Sequence, residues 1–268
     1  MPSKINILSV KVIDSFRLNG QRRIFYHLGR PNFGDDINLW YFRKISASSF
    51  AWGGTGRTHV LGIGSIAAKA SSHSIVMGSG LIESCQRNEL VKPAELFSVR
   101  GNLTAELFDQ EPSFLGDPLC LIDLIIPQSA DESNGVLGIV PHVLNYNFFK
   151  NYFGSQPGVR VINPSDDPVQ VIRTISRCRR IASQSLHGLI VADAYGIPNI
   201  WITPSAGMIG GTFKFLDYFT TLDKPKIPIA LSDFNEDREN FDYTVGRYVY
   251  DKKAYLDAMK NRLANLPR

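Results

Sequence analysis

The stretch RIASQSLHGLIVADAYGIPNIWIT, residues 180–203, sets two short apolar runs on either side of a segment with helical spacing. Ser183 or Ser185 ends the first run and can cap a helix, because a hydroxyl oxygen accepts one of the backbone N–H groups that a first helical turn leaves unpaired. Leu186, Leu189, Ile190 and Ala194 then fall on one stripe, and Gly196 with Pro198 stops the helix. Strand, helix and strand in that order make a βαβ unit, whose two strands run parallel.

The same alternation extends outward. Ser165, Asp166 and Asp167 offer caps and Pro168 a first-turn position for a helix over 165–178, with Val171, Ile172 and Ile175 on one side. INILSVKVI, RIFYHLG, HVLGIGS, HSIVMGSG, LFSVRG, VLGIVPHV and VRVINPSD read as strands, and DDINLWYFRKI and NLTAELFDQ as helices. Continuous apolar runs of this kind mark strands covered on both faces, so the fold class is α/β with mostly parallel sheets. The polar stretch PQSADESNG, 127–135, is the natural break and divides the chain into 1–130 and 131–268. AWGGTGR, 51–57, reads as a flexible loop, and the final RYVYDKKAYLDAMKNRLANLPR as a closing amphipathic helix.

Among 268 residues, 44% hydrophobic and 20% charged, no run of 18 apolar residues occurs, which gives a globular chain and no membrane span. The opening MPSKINILSVKVIDSF has no small-residue cleavage site, so residence in the cytosol is expected. Cys85, Cys120 and Cys178 are far apart with no C-x-x-C, the pattern of reduced thiols and of a chain without a structural metal. A net charge of +4 with no concentrated basic face argues against nucleic acid as a partner and leaves room for a local anion pocket.

Several residues could carry chemistry. His187 falls in the first turn of the central helix, beside the amides of Leu186 and Gly188, where an anion is attracted. Arg100 stands at the C-terminal end of a strand, where α/β sheets bind ligands, and its guanidinium can grip a carboxylate with two hydrogen bonds. Asp35 and Asp36 precede an amphipathic run, so one should cap a helix while the other orients or deprotonates a hydroxyl. His142, at another strand end, is a second candidate base. The glycine-rich strand ends LGIGSIA and VMGSG are too closely spaced for a dinucleotide crossover and read as close backbone approaches lining a cleft, through Gly64, Gly78, Ser79 and Gly80. Trp52 and Trp201 could stack on sugar rings.

SLHGLIVADAYGIP resembles the signature segment of the polysaccharide pyruvyl transferase family, and further landmarks follow in the family's order. NFGDDINLWYF (32–42), beginning at Asn32, is similar to its early N-x-G-D-D segment; VMGSG (76–80), SVRG (98–101), GDP (116–118), PH (141–142) and FKFLDYF (213–219), with Lys214, resemble the others. The resemblance implies two Rossmann-like domains on a GT-B-like plan, with an interdomain cleft, the acceptor side on 1–130 and the donor side on 131–268. It implies transfer of the pyruvyl group of phosphoenolpyruvate, a donor substrate and not a cofactor, onto a sugar of a surface or exopolysaccharide precursor as a ketal. The acceptor would be a glycan carried on a lipid, with no nucleic acid partner and peripheral association at the inner face of the cytoplasmic membrane. The family commonly has an arginine where this chain has Ser185, so an anion contact is missing or supplied by Lys214, Arg179, Arg180 or Arg100. A nucleotide-sugar glycosyltransferase of the same plan and a non-catalytic glycan-binding relative stay open as alternatives.

Overall fold

The computed structural model describes residues 21–46, 48–85, 87–128, 135–205 and 210–266. The expected strand INILSVKVI and the centre of the expected linker, 129–134, lie outside the described residues. The first sheet holds β1 (Arg22–Phe25), β2 (Phe50–Trp52), β3 (His59–Leu61), β4 (Ser74–Ser79), β5 (Glu95–Val99) and β6 (Phe114–Leu115), in the order β2-β1-β3-β4-β5-β6. The second holds β7 (Leu137–Val140), β8 (Val159–Val161), β9 (Arg180–Ser183), β10 (Asn199–Ile202) and β11 (Pro228–Ile229), in the order β11-β10-β9-β7-β8. Every neighbouring pair of strands is parallel, and helices flank both sheets, as two Rossmann-like lobes with a cleft between them.

The βαβ unit of residues 180–203 forms as read: β9 and β10 pair in parallel, with Asn199 opposite Ile181, joined by the helix Leu186–Ala194. That helix differs from the expected stripe in being buried on every side. A helix that is apolar all round needs a second covering surface. The turn Pro118–Leu121, which follows β6 in the first lobe, supplies it. A single apolar cluster therefore runs from Ile24 and Val60 through Leu119 and Leu121 to Leu189 and Ile190. Each such Leu or Ile contributes about 1.5–3 kcal/mol on burial, so the two lobes are sealed along this helix.

Other differences are local. Ala51 and Trp52, expected in a loop, pair with Arg23 and Ile24 as an edge strand, because the glycines that suggested a loop begin only at Gly53. The helix expected over NLTAELFDQ closes after Asn102–Ala105. The closing helix, Lys252–Ala264, is capped by Asp251, whose carboxylate accepts from the amides of Lys253 and Ala254 at 2.8 and 3.1 Å. It follows the second lobe in sequence and packs on the first: Tyr255 donates to Ser98 Oγ and to Gly116 O at 2.8 and 2.9 Å, and Arg262 pairs with Glu95. No helix among the described residues is long and apolar enough to cross a membrane.

Candidate active site

A cavity of about 390 Å³ opens where the carboxyl ends of the strands of the two lobes face each other, within the range of roughly 300–1,000 Å³ usual for small-molecule sites. From the first lobe it is lined by His27, Arg30, Asn32 and Asp35, which follow β1, and by Ser65 and Ile66, which follow β3. From the second come His142 after β7, Ser185, Leu186 and His187 at the start of the central helix, and Lys214 on the helix Phe213–Phe219.

The segment after β1 builds its own wall. Asn32 caps the short helix Phe33–Asp36, accepting from Gly34 N, and its own amide N–H is taken by Asp36 Oδ2 at 2.9 Å. Asp36 is thereby the capping carboxylate and faces away from the cavity, which corrects its place among the candidate bases. Asp35 is turned inward instead, held by Asn32 Nδ2 at 3.1 Å. Burial raises the pKa of its carboxyl, opposed by the nearby His187 and His27. Gly64 has φ +123° and a Cβ there would lie 2.8 Å from Asp35 Oδ1, so glycine is needed both for the backbone and for the carboxylate.

The opposite wall is cationic. Lys214 is held down to about 8 by burial and by Arg100 behind it, and His142 is held down to about 4 by burial and by the charges of Lys214 and Arg30. Neither Lys214 nor Arg30 makes an ion pair with a carboxylate among the described residues. Ser185 occupies the N-cap without a side-chain capping bond, so the first-turn amides of Leu186, His187 and Gly188 are not capped by it; Leu186 and His187 line the cavity and Gly188 does not. Gly188 itself fits between Ser183 Oγ and Val140, where a Cβ would lie 2.4 and 3.0 Å away; it lets helix and strand approach.

Arg100 requires a correction. It is 1% exposed and does not reach the cavity: its guanidinium donates to Asp217 Oδ2 at 2.9 Å, to Ser65 Oγ at 2.7 Å and to Leu81 O. Asp217 belongs to the other lobe and also accepts from Thr104 N and Thr104 Oγ1, at 2.9 and 2.7 Å. The arginine is a tie between lobes, since burying a guanidinium requires a partner for every donor. Gly78, Ser79 and Gly80 do not line the cavity, and of the three Gly80 packs on this tie. Gly80 lies flat on the guanidinium, where a Cβ would be 2.3 Å from Cζ; Gly78, at φ +86°, makes room for Pro118; and Ser79 Oγ donates to Gly64 O at 3.0 Å. Arg179 and Arg180 pair with Glu239, and neither lines the cavity. Trp201 is buried against Phe215 and Trp52 leans on Phe25, neither of them in the cleft.

A model of the polysaccharide pyruvyl transferase family matches residues 10–205, nearly three quarters of the chain. The chain belongs to that family. Two curated proteins resemble this pyruvyl transferase family member at 28% identity. The succinoglycan biosynthesis protein ExoV of Rhizobium meliloti (strain 1021) aligns over 71% of this chain and 61% of its own length. The uncharacterized protein L143 of Acanthamoeba polyphaga mimivirus aligns over 60% and 59%. The chain thus spans about six tenths of the length of these relatives. A solved structure of an uncharacterized protein from Klebsiella pneumoniae is similar over 93% of this chain and 100% of its own, at 10% identity and a TM-score of 0.39.

Sequence reading missed His27, Arg30, Ser65, Ile66, Ile82, Val143 and Leu144 as lining residues. Arg30 carried a usable signal, a cation two positions before Asn32 in a polar loop that follows a strand.

Proposed function

We propose that this pyruvyl transferase family member moves the pyruvyl group of phosphoenolpyruvate onto two hydroxyls of a glycan, as a ketal, with release of phosphate. The observation that carries the reading is the cleft's charge arrangement: two cations that make no ion pair with a carboxylate among the described residues, Arg30 and Lys214, beside the helix start at Leu186 and His187, suit a donor with a carboxylate and a phosphate on three carbons. Family membership and the naming of ExoV for succinoglycan biosynthesis support a polysaccharide acceptor.

In this reading a sugar hydroxyl adds to C2 of the donor while the methylene carbon gains a proton, for which His187 is the candidate acid. The C2–O bond to phosphorus then breaks, phosphate leaves towards Lys214 and Arg30, and the second hydroxyl adds to C2. One hydroxyl proton is balanced by the proton gained at carbon, and the other departs to phosphate. Asp35, its pKa raised, is placed to receive a proton from an acceptor hydroxyl, and His142, neutral at pH 7, to hydrogen-bond the leaving group. Ser185 offers a hydroxyl where a larger donor would fill the cleft. The division at 130 into acceptor and donor sides, a lipid-linked acceptor and work at the inner face of the cytoplasmic membrane belong to the same proposal.

Incubation with phosphoenolpyruvate and a panel of lipid-linked oligosaccharides should release phosphate, and phosphoenolpyruvate at a hundredfold its Kd should stabilise the fold by about 2.7 kcal/mol. Stabilisation by nucleotide sugars alone would favour the glycosyltransferase alternative, and phosphoenolpyruvate binding without phosphate release a binding protein. His187→Ala should lower kcat about 10²-fold with the melting transition kept. Lys214 supplies a pH dependence. Its ammonium is charged below about 8 and is lost as pH rises through that value, so the Kd for phosphoenolpyruvate should rise above pH 8, by up to about tenfold per unit while that charge alone titrates. Calorimetric titration of Lys214→Met should show that rise flattened.

A further inference from the structure

The turn after β6 carries a group that the reading above leaves unused. Gly116, at φ +140° and pressed against Tyr250, delivers Asp117 into the seam between the lobes, where its side chain is 0% exposed. Oδ1 accepts from Leu119 N at 2.9 Å and caps the turn Pro118–Leu121. Oδ2 is buried and makes no hydrogen bond among the described residues, and it lies 3.7 Å from His187 Nε2. A buried carboxylate oxygen is costly to leave uncommitted, and among the described residues the basic side chain paired with it is this imidazole.

The rest of the ring is confined from the same lobe. Its Nδ1 edge covers Gly34, where a Cβ would fall 1.8 Å from Nδ1, and Phe33 meets it edge to face at 6.1 Å between centroids. His187 is thus carried by a helix of the second lobe and oriented by three residues of the first. Its remaining charged neighbours are Asp35 and, around the cavity, His27, Arg30 and Lys214.

We propose that Asp117 is a positioning residue: its Oδ2 takes the Nε2–H of His187, fixing the tautomer and the ring's orientation and making the reactive imidazole a product of both lobes. A carboxylate accepts from Nε2–H whether the ring is neutral or charged, so the same contact serves before and after proton transfer. The separation of 3.7 Å is longer than a hydrogen bond, and catalytic contacts of this kind commonly tighten when substrate binds. This inference rests on the role given to His187, but it can be tested without that role.

The ring nitrogens of ¹⁵N-histidine-labelled protein, with His187 assigned by its loss in His187→Gln, should show the neutral ring protonated on Nε2. A ring protonated on Nδ1 would overturn the proposal in the wild-type protein itself. Asp117→Asn keeps the Oδ1 acceptor for Leu119 N and the size of the side chain. It should leave the melting transition nearly unchanged, mix the two tautomers, and lower kcat by no more than the about 10²-fold of His187→Ala, with KM for phosphoenolpyruvate within threefold. In the doubly substituted protein, His187→Ala should cost no further turnover. Unchanged ¹⁵N shifts in Asp117→Asn, or losses that multiply in the double variant, would assign Asp117 to the turn alone. Absence of phosphate release from wild-type protein would count against pyruvyl transfer and leave the nitrogen shifts to decide the role of Asp117.

Discussion

Arg100→Ala is expected to lower the unfolding free energy by about 3–5 kcal/mol, because it leaves the fully buried carboxylate of Asp217 without its countercharge. Thr104 continues to donate two hydrogen bonds to that carboxylate, which softens the loss without cancelling it. Arg100→Lys should recover little, since one ammonium cannot reach Asp217, Ser65 Oγ and Leu81 O in the directions that the planar fork serves. Urea unfolding of the variants measures the effect. The competing role, a grip on the donor carboxylate, predicts the reverse pattern: a fold as stable as wild type and a KM for phosphoenolpyruvate raised at least tenfold.

Gly34→Ala should affect turnover far more than its size suggests. The backbone at this position is not in the left-handed region, so alanine introduces no conformational strain of its own. The added methyl would sit 1.8 Å from His187 Nδ1, and the imidazole has nowhere close to go, with Phe33 at its edge and Asp117 beyond Nε2. The ring must leave its site. A fall in kcat of about 10²-fold is expected, together with about 1–3 kcal/mol of lost stability from overpacking. Gly54→Ala is the control, since a Cβ there meets no atom within 4 Å, and it should leave both quantities at wild-type values.

Eight strands, β1, β3, β4, β5, β7, β8, β9 and β10, were legible because buried parallel strands write their burial into apolar runs, whereas the short edge strands β2, β6 and β11 leave too little apolar sequence to be seen. The helix Leu186–Ala194 shows where that stops: periodicity reveals a stripe facing its own sheet, whereas the second covering surface comes from a turn some seventy residues earlier, at Pro118–Leu121. The loop around Asn32 was legible in its residue types and not in its division of labour. Either carboxylate of the Asp35 and Asp36 pair could have turned back to cap, and the amide of Asn32 chose Asp36. Arg100 was misread for a related reason. A basic residue at a strand end has the same sequence appearance whether it meets a ligand or a carboxylate 117 positions away, and only the fold brings Asp217 to it. Asp117 was visible within GDP, but nothing in that triplet says that a histidine of the other lobe will face it.

The return of the helix Lys252–Ala264 to the first sheet has a temporal corollary. Arg22, at the start of β1, gives its guanidinium N–H groups to the carbonyls of Leu263, Ala264 and Leu266. During synthesis β1 waits for partners that emerge some 240 residues later, so the amino-terminal half cannot reach its final packing ahead of the carboxy-terminal half. Contacts of such sequence separation slow the last stage of folding and leave the surface at Glu95 and Ser98 uncovered until that helix has been made.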